Sequence, residues 1–127
     1  MKSIYIYGAS GHGLVVADIA RACGYKDIIF IDDGANEYRT FEDIKENNNT
    51  PIALGIGNNI IRAKLFQKLN NSGFEIVTLI HPSSIISQSA IIGKGTVVMP
   101  NVVINSKATI GKGVILNTSS IIEHECI

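Results

Sequence analysis

The chain is 127 residues long, 46% hydrophobic and 17% charged, and its 11 basic and 11 acidic side chains cancel to a formal net charge of zero at pH 7. That length suits one domain, or one small domain with part of another; the scattered lysines form no patch for nucleic acid, the low charge gives no reason to expect binding at a membrane surface, and no apolar run approaches the ~20 residues of a membrane span. The opening MKSIYIYGASG enters a strand and a glycine turn directly, unlike a signal peptide, and Cys23 and Cys126 lack metal-type spacing, so idle thiols in a reducing cytoplasm and no bound metal are expected.

The first part of the chain alternates strand and helix. SIYIYG predicts a short strand, GASGHG a glycine turn, and LVVADIARACG a helix stopping at Gly24. DIIFIDD is a second buried-type strand ending in two carboxylates. GANEYRTFEDIKENNNT is polar and reads as a loop with one helical turn, and PIALGIG is a third strand. NNIIRAKLFQKLNNSG opens on asparagines and closes on Gly73 as an amphipathic helix, and FEIVTLI is a fourth strand. Strands separated by helices pair in parallel through right-handed crossovers, which predicts a Rossmann-like doubly wound sheet over residues 1–81.

From residue 82 the grammar changes. Every sixth position is aliphatic: Ile86, Ile92, Val98, Ile104, Ile110, Leu116 and Ile122. Two places earlier stand small or β-branched residues: Ser84, Ala90, Thr96, Val102, Ala108, Val114 and Ser120. A helix has no use for a period of six, and a flat strand needs only two. A strict hexad fits a coil whose faces are one hexapeptide each, the aliphatic side chain filling the interior and the small one near the corner. Gly93, Gly95, Gly111 and Gly113 are expected at tight corners. The fold class is therefore α/β plus β, with residues 82–127 an incomplete hexapeptide-repeat β-helix.

Candidate functional residues lie at both ends of this plan. GASGHG follows a strand and opens a helix, where glycines let backbone approach a phosphate and the helix N-terminus favours negative charge. Its order is G-x-x-G-x-G rather than G-x-G-x-x-G, which weakens a nicotinamide-dinucleotide reading. His12 inside the turn either meets a diphosphate or fills space. Asp32 and Asp33 end the second strand, at the rim where acids accept hydrogen bonds from a ribose or base. Gly57 and Asn58 reach the same rim, and Asn58 also fits a helix N-cap. His81, before Pro82, reads as structural. His124 falls at a corner position where earlier hexads carry Gln88, Lys94, Pro100, Ser106, Lys112 and Thr118. An imidazole there titrates near neutrality and can serve as a general base, oriented by a neighbouring carboxylate. Spacing alone does not choose between Glu123 and Glu125.

Together YIYGASGHG, IFIDD, IGNN, LIH and KGVILNTSSIIEHEC resemble the bacterial nucleotide-sugar acetyltransferases of the sialic-acid O-acetyltransferase type, above all those that N-acetylate the 4-amino group of a UDP-4-amino-4,6-dideoxy sugar on the bacillosamine path. The likeness runs along the whole chain. It implies an N-terminal domain that binds the UDP-sugar, a left-handed β-helix of three hexads per coil, a homotrimer, and acetyl-CoA between neighbouring β-helices. By the same resemblance Ser10, Gly11 and His12 contact the diphosphate sugar, Asp32 and Asp33 the nucleoside, and Gly57 the substrate again. His124 is the catalytic base, and Glu125 the acid that raises its basicity. Such enzymes continue for further coils that carry the remaining acetyl-CoA contacts, so a chain ending at Ile127 is expected to be a fragment with little transfer of its own. The competing readings are a non-catalytic nucleotide-sugar-binding module, an O-acetyltransferase on a sialic-acid-type sugar and, more weakly, a dinucleotide oxidoreductase domain.

Overall fold

The computed structural model describes residues 2–127; Met1, with which the expected N-terminal unit begins, lies outside them. Strands β1 (Ser3–Tyr7), β2 (Asp27–Ile31) and β3 (Ile52–Leu54) form a parallel sheet in the order β2-β1-β3. Helix α1 (Gly11–Ala22) crosses from β1 to β2, the single turn α2 (Phe41–Ile44) lies between β2 and β3, and α3 (Asn59–Asn71) follows β3. Both faces of the sheet are covered, which explains the near-continuous apolar character of its strands. Ile4, Ile6 and Ala53 pack with Val16, Ala17, Ile19 and Ala20 of α1. Tyr5, Tyr7, Ile52 and Leu54 face the other way, toward Phe41, Ile44, Phe66 and Leu69.

The expected fourth strand of this sheet does not form. Within residues 74–80, Ile76 makes one parallel bridge to Ile52, and β4 (Leu79–Ile80) then pairs with β7 (Val97–Val98) instead. The apolar run is real, but it is shared by two structures, and the first rung of the coil lies upstream of residue 82. Thereafter come β5 (Ile85–Ile86), β6 (Ile91–Ile92), β8 (Val103–Ile104), β9 (Thr109–Ile110), β10 (Ile115–Leu116) and β11 (Ile121–Ile122). Each pairs in parallel with the strand eighteen residues away, as in Leu79↔Val97↔Ile115, Ile85↔Val103↔Ile121 and Ile91↔Thr109. Three hexads therefore make one turn of a three-faced coil.

Val98, Ile104, Ile110 and Leu116 are buried inside this coil with Val102 and Ala108, and Ile80, Ile86, Ile92 and Ile122 pack around them. Each buried aliphatic side chain contributes roughly 1.5–3 kcal/mol, against about 0.5–1.5 kcal/mol net for a backbone hydrogen bond. With strands of two residues, the interior column outweighs the ladders. The small-residue position points inward too, and at Ser84 and Thr96 its hydroxyl ties successive turns together. Ser84 Oγ donates to the Met99 carbonyl (2.6 Å) and accepts from the Val102 amide (3.0 Å); Thr96 does the same with Gly111 and Val114. The corners fall at Gly95, Asn101, Lys107, Gly113, Ser119 and Glu125, all with φ between 58° and 77°. Gly93 and Gly111 have another duty: a Cβ on Gly93 would lie 2.5 Å from the Gly111 backbone in the next turn. One face of the coil joins the two halves, since Leu79, Val97 and Ile115 pack outward into the α1 side of the sheet. Ile85, Ile91 and Ile121 on the remaining faces are exposed.

Candidate active site

The order β2-β1-β3 places a switch of direction between β1 and β3, and the crevice beyond the carboxyl ends of such strands is where open α/β sheets take ligands. Two glycine turns meet there. Gly8 has φ 118°, and a Cβ on Gly13 would fall 1.9 Å from the Gly8 carbonyl oxygen, so helix and strand approach more closely than any side chain permits. Ser10 stands at the N-cap of α1 but makes no capping hydrogen bond, Gly11 opens the helix with free space where a side chain would be, and the first turn carries no acid. The leading amides of α1 thus remain available to an anion.

The two acids at the end of β2 are already engaged. Asp32 accepts from the amides of Gly34 (2.9 Å) and Ala9 (3.1 Å) and from Asn36, and these hydrogen bonds hold its carboxyl below the ordinary range. It fastens the glycine turn to the rim. Burial pushes the Asp33 carboxyl up, but the Phe41 amide (2.8 Å), the Tyr7 hydroxyl and the Lys68 ammonium (3.7 Å) outweigh it and leave it below its ordinary value. Burial, then the hydrogen bond to Asp33, raises the Tyr7 hydroxyl far above its ordinary range. Lys68 also donates to Tyr7 (3.0 Å) and lies over the Phe41 ring. Tyr7 and Lys68 escaped the sequence reading: Tyr7 looks like a core residue of an alternating strand, and Lys68 like a solvated helix residue. Between the acids and the apolar side chains of Ile56, Ile61 and Leu65 lies a cavity of about 190 Å³. Of the two exposed isoleucines of α3, Ile61 forms a wall of this cavity.

His12 and Gly57 face one another across the switch point and line a larger cleft, about 530 Å³, with Asn59 and Arg62 of α3 and Ile115 and Asn117 of the coil. The His12 Nε2 atom is buried and has no hydrogen-bond partner among the described residues. Burial, with the nearby Arg62 charge, holds the imidazole below its ordinary pKa of 6.5. Asn58 caps α3, its side chain accepting from the Ile61 amide at 3.0 Å. His81 is structural as expected: its Nδ1 accepts from the Ser83 amide (3.0 Å) and bonds the Ser83 hydroxyl (2.8 Å) at the first coil corner.

The other candidate pair sits on the last corner. Glu125 is the residue with φ 58°, and its amide donates to the Ser106 carbonyl one turn below (2.8 Å). That bond orients the corner so that His124 Nδ1 stands 3.6 Å from Glu125 Oε1, both side chains more than two-thirds exposed. Glu123 makes no recorded side-chain contact to His124. His124 is absent from the walls of the His12 cleft, so within one chain the two halves of the expected site are not brought together. Among the described residues no group of three or more His, Cys, Asp or Glu side chains is placed to hold a metal ion.

Fold and rim define a two-part protein: an α/β unit with an anion-ready helix terminus and an acid-lined cavity, joined to a hexad-built parallel coil. The chain belongs to the PglD N-terminal domain family, which matches residues 3–69. It is 34% identical over 113 residues to the UDP-N-acetylbacillosamine N-acetyltransferase of Bacillus subtilis (strain 168), covering 77% of this chain and 51% of that protein. Among solved structures it is similar to the acetyltransferase domain of PglB from Neisseria gonorrhoeae FA1090 in complex with acetyl coenzyme A, with 36% identity and a TM-score of 0.89 over 98% of this chain and 66% of that one. It is also similar to PerB from Caulobacter crescentus in complex with CoA and GDP-perosamine, with 31% identity and a TM-score of 0.90 over 99% of this chain and 65% of that one. The chain thus spans about half the length of the curated relative and about two-thirds of these structures.

Proposed function

We propose that the protein acts in acetyl transfer from acetyl-CoA to the amino group of a UDP-4-amino-4,6-dideoxy sugar, with His124 as general base and Glu125 as its orienting acid. The observation that carries this reading is the His124–Glu125 pair, held by the coil corner with the carboxylate at Nδ1. At 3.6 Å the carboxylate stands just beyond a hydrogen bond; drawn into reach on substrate binding, it favours the tautomer whose proton lies on Nδ1 and leaves Nε2 with a lone pair. The sugar amine attacks the thioester carbonyl carbon, His124 Nε2 takes the proton that the nitrogen sheds, and the C–S bond breaks. The departing thiolate recovers a proton to give CoA and the N-acetyl sugar. The named relatives are consistent with the reaction class, and one of them holds CoA together with a GDP-sugar. In this reading the cavity beside Asp32 and Asp33 takes the nucleoside, and His12 and Gly57, in the neighbouring cleft, serve the diphosphate sugar with Ser10 and Gly11 at the start of α1. The coil is read as left-handed and the assembly as a homotrimer, with His124 of one subunit meeting substrate at a neighbour; the exposed Ile85, Ile91 and Ile121 support such packing. The test is thiol release from acetyl-CoA with a panel of UDP- and GDP-linked amino sugars and sialic acid. Release only with the UDP-amino sugars is expected; release only with sialic acid would make it an O-acetyltransferase.

The separation of His124 from the His12 cleft favours one other reading, a nucleotide-sugar-binding module without catalysis. UDP-sugar binding without thiol release, by a protein shown to be trimeric, would establish it.

A further inference from the structure

Arg62 donates four hydrogen bonds and belongs neither to the sequence motifs nor to the proposed chemistry. It lies in the first turn of α3, and its acceptors are all neutral. Nε donates to the Gly113 carbonyl (2.8 Å), one terminal nitrogen to the carbonyls of Gly57 (3.0 Å) and Ile56 (3.4 Å), and the other to Asn59 Oδ1 (2.7 Å). No ion pair to Arg62 is recorded among the described residues. Burial lowers its pKa somewhat, yet a guanidinium stays charged at any working pH.

The acceptors belong to different parts of the molecule. Ile56 and Gly57 form the loop after β3 that faces His12; Gly113 is a left-handed corner of the coil, immediately before the Val114–Asn117 stretch on the opposite wall of the cleft. The planar fork of arginine fixes both at once, since its donors point in set directions within one rigid group. The rest of α3 leans on the same coil edge: a Cβ on Gly113 would lie 3.4 Å from the Phe66 ring, and Lys94 donates to Asn70 Oδ1 at 2.7 Å. Those contacts attach the helix to the coil. Arg62 joins the coil to the rim loop as well, and it does so inside the cleft, leaving an uncompensated positive charge beside the first turn of α1.

Resting on the nucleotide-sugar reading above, we infer that Arg62 is a positioning residue that sets the span between the Gly57 rim and the Gly113 corner, so that the diphosphate sugar, though not the nucleoside, fits the cleft between them. The nucleoside cavity at Tyr7, Asp32 and Asp33 does not include Arg62, which makes the two parts of the ligand separable. Calorimetry with UMP and with a UDP-4-amino-4,6-dideoxy sugar should compare the full protein with Arg62→Lys and Arg62→Met. Both variants should lose at least about tenfold in affinity for the UDP-sugar, as expected when charged hydrogen bonds are removed, while UMP binding stays as it was. Lysine keeps the charge but not the fork, so wild-type binding by Arg62→Lys would overturn the inference, as would equal losses for UMP. Should Arg62→Met fail to fold, Arg62→Lys and Asn59→Ala carry the test, with Asn59→Ala, which removes one acceptor, expected to weaken UDP-sugar binding less. An unmodified protein that bound neither ligand would overturn the nucleotide-sugar reading and this inference with it, a result distinct from a silent Arg62→Lys.

Discussion

The rim of the α/β unit and the last corner of the coil are built on opposite plans. At the rim each acid is already bonded two or three times, glycines are packed backbone to backbone, and the walls come from both halves of one chain. At the corner, a histidine and a glutamate stand mostly in solvent with one another for company. The first arrangement is a preorganised receptor, whose groups give up little freedom when a ligand arrives. The second has its chemistry in place but none of the dry surroundings that strengthen it. In the proposed trimer a neighbouring subunit would supply those surroundings.

Substitutions can break or sharpen that contrast. The largest effect is expected from His124→Ala, which in a protein of the relatives' full length should lower kcat by about two to four powers of ten, the usual worth of a positioned base, and leave UDP-sugar binding intact by calorimetry. Gly13→Ala should do the reverse: a Cβ placed 1.9 Å from the Gly8 carbonyl forces helix and strand apart. Overpacking of this kind costs about 1–3 kcal/mol, visible as a lower midpoint in urea unfolding, with nucleotide affinity falling too. Glu125→Ala should cost kcat less than His124→Ala, because the imidazole remains but loses its partner. Glu123→Ala should be nearly silent, and a larger loss there than at Glu125 would reverse the assignment.

The smallest effect concerns pH at the rim. A His12 held below 6.5 in the folded protein stays neutral where the unfolded chain takes up a proton. Stability from this source is therefore complete above 6.5 and is lost as pH falls from there toward the lowered folded value. His12→Gln should flatten that limb in thermal melts between pH 7 and 5. The contributions of Asp32 and Asp33, whose carboxyls are depressed from 3.8, should persist through that window and be lost only in stronger acid.

What the sequence disclosed follows the range of the interactions. The coil was legible because a period of six writes its interior into every turn, and β1, α1, β2 and α3 because their signals are local. The fourth strand misled, since FEIVTLI carries no mark showing that Ile76 bridges to one sheet while Leu79 and Ile80 join another. The glycine turn, the paired acids and His124 were visible as residue types in suggestive places, although the engagement of both acids was not. Tyr7 and Lys68 left no signature because they bind side chains brought near only by the completed fold, and Arg62 because the Gly113 carbonyl it holds lies 51 residues away.

The eighteen-residue register has a consequence for length change. Each hexad advances the chain by one third of a turn, and neighbouring turns lie about 4.8 Å apart. Removing one hexad from the coil upstream of His124 would keep the interior column continuous while swinging the imidazole round to a different face of the prism. Removing three would return it to its own face, one step lower along the axis. The coil is in effect a ruler with a dial, and the reach of its last corner is counted in sixes for direction and in eighteens for height.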